Sequence, residues 1–254
     1  MNTALPDTAR HDNTRTLVLT GASRGIGHAT VKKFSAGGWR IVTVSRQPFS
    51  ALCPWPSGGE NHVQIDLADA VELERGIAAI RQRLGGRLDA LVNNAAVSPK
   101  ASDGSRLGAI DTPFGLWRQV FNVNFFAPVA LARGLIEELS AARGAVVNVT
   151  SIAGSRVHPF AGSAYATSKA ALAALTREMA HDFGPRGIRV NAIAPGEIDT
   201  SILSPGTEKI VENQIPMRRL GTPDEVADVI HFLCEKGASY VSGAEIQING
   251  GQHV

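Results

Sequence analysis

Cysteine is scarce: two of 254 residues, Cys53 and Cys234, which form neither a CxxC pair nor a zinc-ligand spacing. That argues against a disulfide framework or a structural zinc, and both read as small apolar side chains. Long apolar runs are missing too. The longest, residues 125–132, is closed by Asn124 and Arg133, far short of the roughly 18 residues of a spanning helix, so no membrane partner is expected. No stretch concentrates positive charge: Lys and Arg number 25 against 23 Asp and Glu, for a net charge of +2. A nucleic-acid partner is therefore not expected. The seven histidines make no HExxH or paired spacing, and no metal site is expected. Residues 1–14 are polar and lack the apolar segment of a signal peptide. They read as a disordered N-terminal tail, and the location as cytoplasmic.

What is present, over residues 15–254, is an alternation of short β-branched runs with longer helical stretches, read as one domain. Strands are expected at 16–20, 40–45, 62–65, 90–93, 145–149, 189–193 and 245–248. Most are continuously apolar, as in a parallel sheet covered on both faces. Helices are expected at 26–36, 71–84, 116–139, 164–183 and 222–232; the last opens on Thr222-Pro223-Asp224-Glu225, a capping-box signature. The implied fold class is α/β, a doubly wound, seven-stranded parallel sheet with helices on both faces. Pro48, Pro54 and Pro56 break up residues 47–61, where an irregular or very short helix is expected; 98–113 reads as a loop and 195–216 as a longer mixed segment, both following strand C-termini.

Directly after the first strand stands Thr20-Gly21-Ala22-Ser23-Arg24-Gly25-Ile26-Gly27. Glycines at this place let backbone approach a pyrophosphate at a helix N-terminus, whose free N–H groups favour anions. Gly21-Ala22-Ser23-Arg24-Gly25 also matches the Gly-x-Ser-x-Gly nucleophile elbow. However, the hydrolase fold needs an earlier strand and loop for its oxyanion hole, and mostly polar tail precedes Ser23. Tyr165 and Lys169 lie four apart at the start of a helix. They share one face, where an ammonium would lower the phenol pKa toward acid–base duty. Ser151 follows the fifth strand, Asn93-Asn94-Ala95-Ala96 closes the fourth, and Asn124 falls inside the amphipathic 116–139 pattern, where its poor helix propensity points to a specific role.

TGASRGIG, NNAA, Asn124, Ser151, YATSK and Pro195-Gly196, in this order, resemble the short-chain dehydrogenase/reductase family, with a Rossmann fold, from residue 16 to the Gly250-Gly251 pair. SRQPF, SIAGSRVHPFAGSAYATSK and INGGQH further resemble FixR-type members. The resemblance implies hydride transfer between a nicotinamide cofactor and a carbonyl/alcohol substrate through a tetrad. Tyr165 exchanges the proton, Ser151 hydrogen-bonds the substrate oxygen, Lys169 holds the nicotinamide ribose, and Asn124 anchors a water leading to Lys169. It also lays the cofactor along Gly21, Ser23, Arg24, Gly25, Ile26, Gly27, Ser45, Arg46, Asp66, Leu67, Asn93, Ala95, Pro195, Gly196, Ile198 and Thr200. Two positions depart from the family pattern. Tyr165 follows Ser151 by fourteen residues, one more than the family spacing, which reads as a loop insertion. Ala96 stands where glycine is usual.

The second strand ends in Ser45-Arg46 rather than an acidic residue. With Arg24 this favours NADP(H) over NAD(H), because guanidinium suits a 2′-phosphate that a carboxylate would repel. Substrate-facing candidates are Ser98, His158, Phe160 and Ile202, with Leu203, Ile210 and Val211 joining Ile202 in an apolar lid. The resemblance implies a homotetramer, or a homodimer, built on the helices 116–139 and 164–183. Two other readings stand beside the oxidoreductase. One is a 3-oxoacyl-[acyl-carrier-protein] reductase, with Arg133, Arg177, Arg218 and Arg219 as docking candidates. The other is an NADP(H)-binding regulatory sensor with little turnover, against which the complete tetrad argues.

Overall fold

A computed structural model describes residues 14–50, 55, 58–200, 203, 204 and 206–254. Among them seven strands form one parallel sheet: β1 (Thr16–Thr20), β2 (Arg40–Ser45), β3 (His62–Gln64), β4 (Ala90–Asn93), β5 (Ala145–Val149), β6 (Arg189–Pro195) and β7 (Glu245–Ile248). Their order is β3-β2-β1-β4-β5-β6-β7. The chain reverses its direction of travel across the sheet between β1 and β4, the switch point at which open α/β sheets bind ligands.

The apolar strands are buried on both faces because alternate residues serve two cores. Val18, Val42, Leu91, Val146 and Val190 pack on one side, with Ile80 of α2 (Ala70–Leu84) and Leu131 of α4 (Ala127–Gly134). Leu17, Leu19, Ile41, Val92 and Val147 pack on the other, with Phe34 of α1 (Gly25–Ala36) and Ile230 of α8 (Pro223–Cys234). Helix ends follow their caps. The Asp69 carboxylate accepts from Val71 N and Glu72 N, starting α2 one residue earlier than the apolar pattern suggests. Thr222 and Glu225 form the expected reciprocal capping box.

The expected 116–139 helix is a correction. It is three helices, α3 (Phe114–Phe121), α4 and α5 (Ile136–Ala142), with a π-turn over Asn122–Phe126 between the first two. Pro128 explains the break: it has no N–H for the carbonyl of Asn124 four residues back, and its ring crowds that carbonyl. The remaining helices are α6 (Ser163–Phe183) and α7 (Thr207–Gln214). Residues 1–13, Cys53 and Ile202 lie outside the described residues, so the expectations for them do too. Of the 47–61 segment, 47–50 form no regular element and 58–61 form a turn.

Candidate active site

Because every strand runs the same way, the residues that follow β1, β2, β4, β5 and β6 emerge along one edge of the sheet. At β1 the chain turns sharply. Gly21 takes φ 75°, and a Cβ on Gly27 would stand 2.0 Å from the Gly21 carbonyl oxygen, so only glycine fits where α1 springs from the strand. Thr20 holds this turn from below, its hydroxyl oxygen accepting from Asn94 N at 3.1 Å and Ala95 N at 3.0 Å. The Asn94 side-chain amide donates to the carbonyls of Thr20 and Gly21 at 3.0 and 2.9 Å. Thr20 and Asn94 are thus positioning residues for the glycine turn, a role that a strand-end threonine and the first half of NNAA do not announce. The N-terminus of α1 has no side-chain cap and no acid in its first turn, and Ser23 and Arg24 are exposed beside it. A cradle that a single Cβ would fill, opening on uncapped N–H groups, fits the pyrophosphate of a dinucleotide.

Along the same edge, the Ser45 hydroxyl donates to the Gln47 carbonyl at 2.8 Å, and Arg24 and Arg46 have no acidic partner among the described residues. Asp66 closes a small turn, one carboxylate oxygen accepting from Ala68 N at 2.9 Å. Leu67 packs into the core beside Val63 and Ile65, and Asn93 turns inward, its amide donating to Asn148 Oδ1 at 2.8 Å. Neither side chain faces the edge, which leaves their backbones to meet a ligand. Past β6, Gly196 N is bonded to Ile248 O, Ile198 bridges to Gly221, and the Thr200 methyl comes 3.3 Å from where a Cβ on Gly25 would stand. The segment opened by Pro195 therefore folds back over the glycine turn.

Ser151, Tyr165 and Lys169 converge. Ser151, in extended conformation after β5, opens a 3-10 turn (Ile152–Gly154) that lies tight on α6, where a Cβ on Gly154 would reach Ala170 N at 3.0 Å. Its hydroxyl oxygen accepts from Ala153 N at 3.2 Å and lies near enough to the Tyr165 phenol to act on its pKa, so the fourteen-residue spacing is absorbed in the loop before α6. Ala96 is exposed, and its methyl meets no crowded surface. Lys169 is 2% exposed and donates from Nζ to Val149 O at 2.6 Å, with Nζ 5.7 Å from the centre of the Tyr165 ring.

The electrostatics depart from the sequence expectation. Burial pushes the Tyr165 phenol above its ordinary value, Glu197 adds to the rise, and the Ser151 hydrogen bond opposes it. Burial also pulls the Lys169 ammonium down to about 7. A lysine that burial itself discharges exerts little pull on its neighbour, and desolvation prevails at both groups. Asn124 is held firmly. Fully buried in the π-turn, its side chain accepts from Val97 N at 2.9 Å and donates to Val97 O and Ser168 Oγ at 3.1 and 3.0 Å. It ties the loop after β4 to α6.

Of the substrate-facing candidates, Ser98 is exposed on the loop after β4, whereas His158 and Phe160 pack together, ring centres 5.9 Å apart. His158 Nε2 pairs with Glu197 Oε1 at 2.5 Å, and Glu197, placed by no motif, is the main addition of the structure to this site. Leu203 and Val211 help line an open groove of about 670 Å³ with Ser204, Thr207, Arg218 and Leu220, while Ile210 points into the core. Among the described residues no group of three or more His, Cys, Asp or Glu is placed to hold a metal, and no helix is long and apolar enough to cross a membrane.

The sequence model of the family described as Enoyl-(Acyl carrier protein) reductase matches residues 21–253. Protein FixR of Bradyrhizobium diazoefficiens is 62% identical over 242 residues, 94% of this chain and 87% of that protein. The 3-oxoacyl-[acyl-carrier-protein] reductase FabG of Aquifex aeolicus is 33% identical over 92% of this chain and 95% of its own. The crystal structure of a Brucella ovis oxidoreductase of the short chain dehydrogenase/reductase family, in complex with a partially ordered NAD, is 61% identical. It superposes with a TM-score of 0.81, covering 93% of this chain and 100% of that one. A match that runs from the glycine turn past β7, with relatives above 30% identity over more than nine-tenths of the sequence, leaves one assignment: the chain belongs to the short-chain dehydrogenase/reductase family.

Proposed function

We propose that this oxidoreductase moves a hydride between NADP(H) and a small carbonyl/alcohol substrate, acting from the cytoplasm, with Tyr165 as proton donor, Ser151 as its partner on the substrate oxygen and Lys169 as the anchor of the nicotinamide ribose. The observation that carries the reading is the meeting of Ser151 and Tyr165 above a buried Lys169, at the sheet edge that also bears the glycine cradle. The nicotinamide, when bound, supplies the hydride chemistry. The protein's share is positional and electrostatic. A phenol held above its ordinary pKa stays protonated at neutral pH and is ready to donate to a carbonyl oxygen. The Ser151 hydroxyl stands beside it to donate a second hydrogen bond to that oxygen as charge develops. Lys169, poised at about 7, offers donors to ribose hydroxyls.

The preference for NADP(H) rests on Ser45, Arg46 and Arg24: β2 ends without a carboxylate, and the two guanidinium groups are exposed and unpaired among the described residues. A homotetramer on α3–α6 is supported by Phe114 and Phe126, 83% and 53% exposed; light scattering would read four times 26.8 kDa. The functional test is a fluorescence titration with NADPH and NADH, followed by a panel of ketones, quinones and acyl thioesters. Tighter NADPH binding with consumption on a ketone is the expected result. Tight binding with no turnover on any of them would overturn the enzyme reading in favour of a sensor.

A further inference from the structure

The turn that follows β2 is held by side chains of β3. Val63 packs into the core, so His62 and Gln64, at alternate positions, share the other face of the sheet with Thr43 and Ser45 of the paired strand. Two donors reach the Gln47 carbonyl: the Ser45 hydroxyl at 2.8 Å and His62 Nε2 at 2.9 Å. A carbonyl only accepts, so Nε2 carries the ring proton, and Nδ1 accepts from the Thr43 hydroxyl at 2.9 Å. Gln64 Nε2 donates to the Arg46 carbonyl at 3.1 Å. The rings of His62, Phe49, Trp55 and His28 follow one another with centres no more than 5.8 Å apart, which braces the turn on α1 one residue beyond Gly27. The carbonyls of Arg46 and Gln47 are thus both drawn toward β3. The peptide joining these two residues is trans, so the Gln47 N–H points away from β3, to the side on which β1 and its glycine turn stand in the order β3-β2-β1. Neither Arg46 N nor Gln47 N has an acceptor among the described residues, and both residues are exposed.

We propose that His62, assisted by Gln64, is a positioning residue for the adenosine 2′-phosphate of NADP(H): it holds the Arg46–Gln47 turn with its carbonyls averted, so that the two free N–H groups and the Arg46 guanidinium meet the phosphate. This rests on the NADP(H) reading. A carbonyl oxygen facing a phosphate repels it, whereas a carbonyl tied back leaves N–H donors in its place. Turning the Gln47 carbonyl outward would break both of its hydrogen bonds, so the turn is ordered before the ligand arrives and binding bears little of that cost. Histidine suits the task because two nitrogens on one rigid ring join the turn to Thr43, which is 1% exposed. A brace that served the strands alone would act alike on cofactors with and without the 2′-phosphate, while a brace on the phosphate's own donors acts on NADPH only.

The test is a fluorescence titration of the full chain with NADPH and with NADH, which reads binding without turnover. It compares the native protein with His62→Asn, which keeps a partner for Thr43 at the place of Nδ1 but has no donor for the Gln47 carbonyl, and with His62→Gln, which returns an N–H to the place of Nε2. The expected result is an NADPH affinity lowered about three- to tenfold by His62→Asn, the worth of about one hydrogen bond. NADH affinity should be unchanged, and His62→Gln should restore most of the loss. If His62→Asn is insoluble, Gln64→Leu, at an exposed position, carries the comparison through the Arg46 carbonyl, with the same selective loss expected. A variant that weakens both cofactors alike, or neither, would overturn the role of His62 while the native preference for NADPH still stands. A native protein that binds NADPH no more tightly than NADH overturns the NADP(H) reading itself, and this role of His62 with it.

Discussion

Replacing Lys169 by Met should make the cofactor-free protein more stable at neutral pH while removing the amine the proposed chemistry needs. Lys169 is 2% exposed, and burial has taken its pKa from 10.5 to about 7. At about 1.4 kcal/mol per unit, keeping the ammonium protonated in the fold costs about 5 kcal/mol at and below pH 7. Methionine has a similar volume and no charge, but it abandons the 2.6 Å bond to Val149 O, and an orphaned carbonyl costs about 1–3 kcal/mol. The net expectation is a gain of about 2 kcal/mol or more, or about 5 °C in Tm for a chain of this size. The pH dependence identifies the cause. Between pH 7 and 10.5 the folded lysine is neutral while the unfolded one still holds its proton, so the native protein gains about 1.4 kcal/mol per pH unit as pH rises, and below pH 7 this slope vanishes. The methionine variant should therefore lead at pH 6–7 and lose its lead near pH 9. Thermal melts of both proteins without cofactor, from pH 6 to 9.5, read this directly. A variant less stable at pH 6, or a lead that does not shrink above pH 7, would refute the argument.

Tyr165→Phe removes the proposed proton donor but leaves the ring packing, so kcat should fall by about 10²–10⁴ while fluorescence titration shows NADPH binding little changed. Arg46→Asp places a carboxylate where β2 ends, and the NADPH-to-NADH ratio of kcat/KM should fall by about tenfold or more through loss of a charge-assisted contact; a steady-state comparison of the two cofactors checks it. Thr20→Val keeps the shape of a 2% exposed side chain but removes the oxygen that accepts from Asn94 N and Ala95 N. Two stranded N–H groups should cost about 2–4 kcal/mol in urea unfolding, with weakened NADPH binding as the glycine turn loosens.

How far the sequence speaks depends on whether a feature is local. The strands are legible because a parallel sheet covered on both faces demands continuous apolar runs, and Thr222-Pro223-Asp224-Glu225 is legible because a capping box is complete within four residues. The order of glycine turn, Ser151, Tyr165 and Lys169 is legible for the same reason: each sits at an element boundary that its own neighbours define. The 116–139 stretch misleads because a π-turn inserts a residue without spoiling the apolar face on either side. Pro128 is the local signal that marks it, since its missing N–H falls opposite Asn124. The Tyr165–Lys169 spacing misleads differently. Four residues fix a shared helical face but say nothing of burial, and burial takes charge from the lysine and raises the phenol instead of lowering it. Glu197 and His158 are 39 residues apart on two loops, and no periodicity relates them. The parts of the site shared with the family are thus written in the sequence as motifs, while the pairing of Glu197 with His158 arises from loops meeting in space, where only the fold reveals which carboxylate faces which ring.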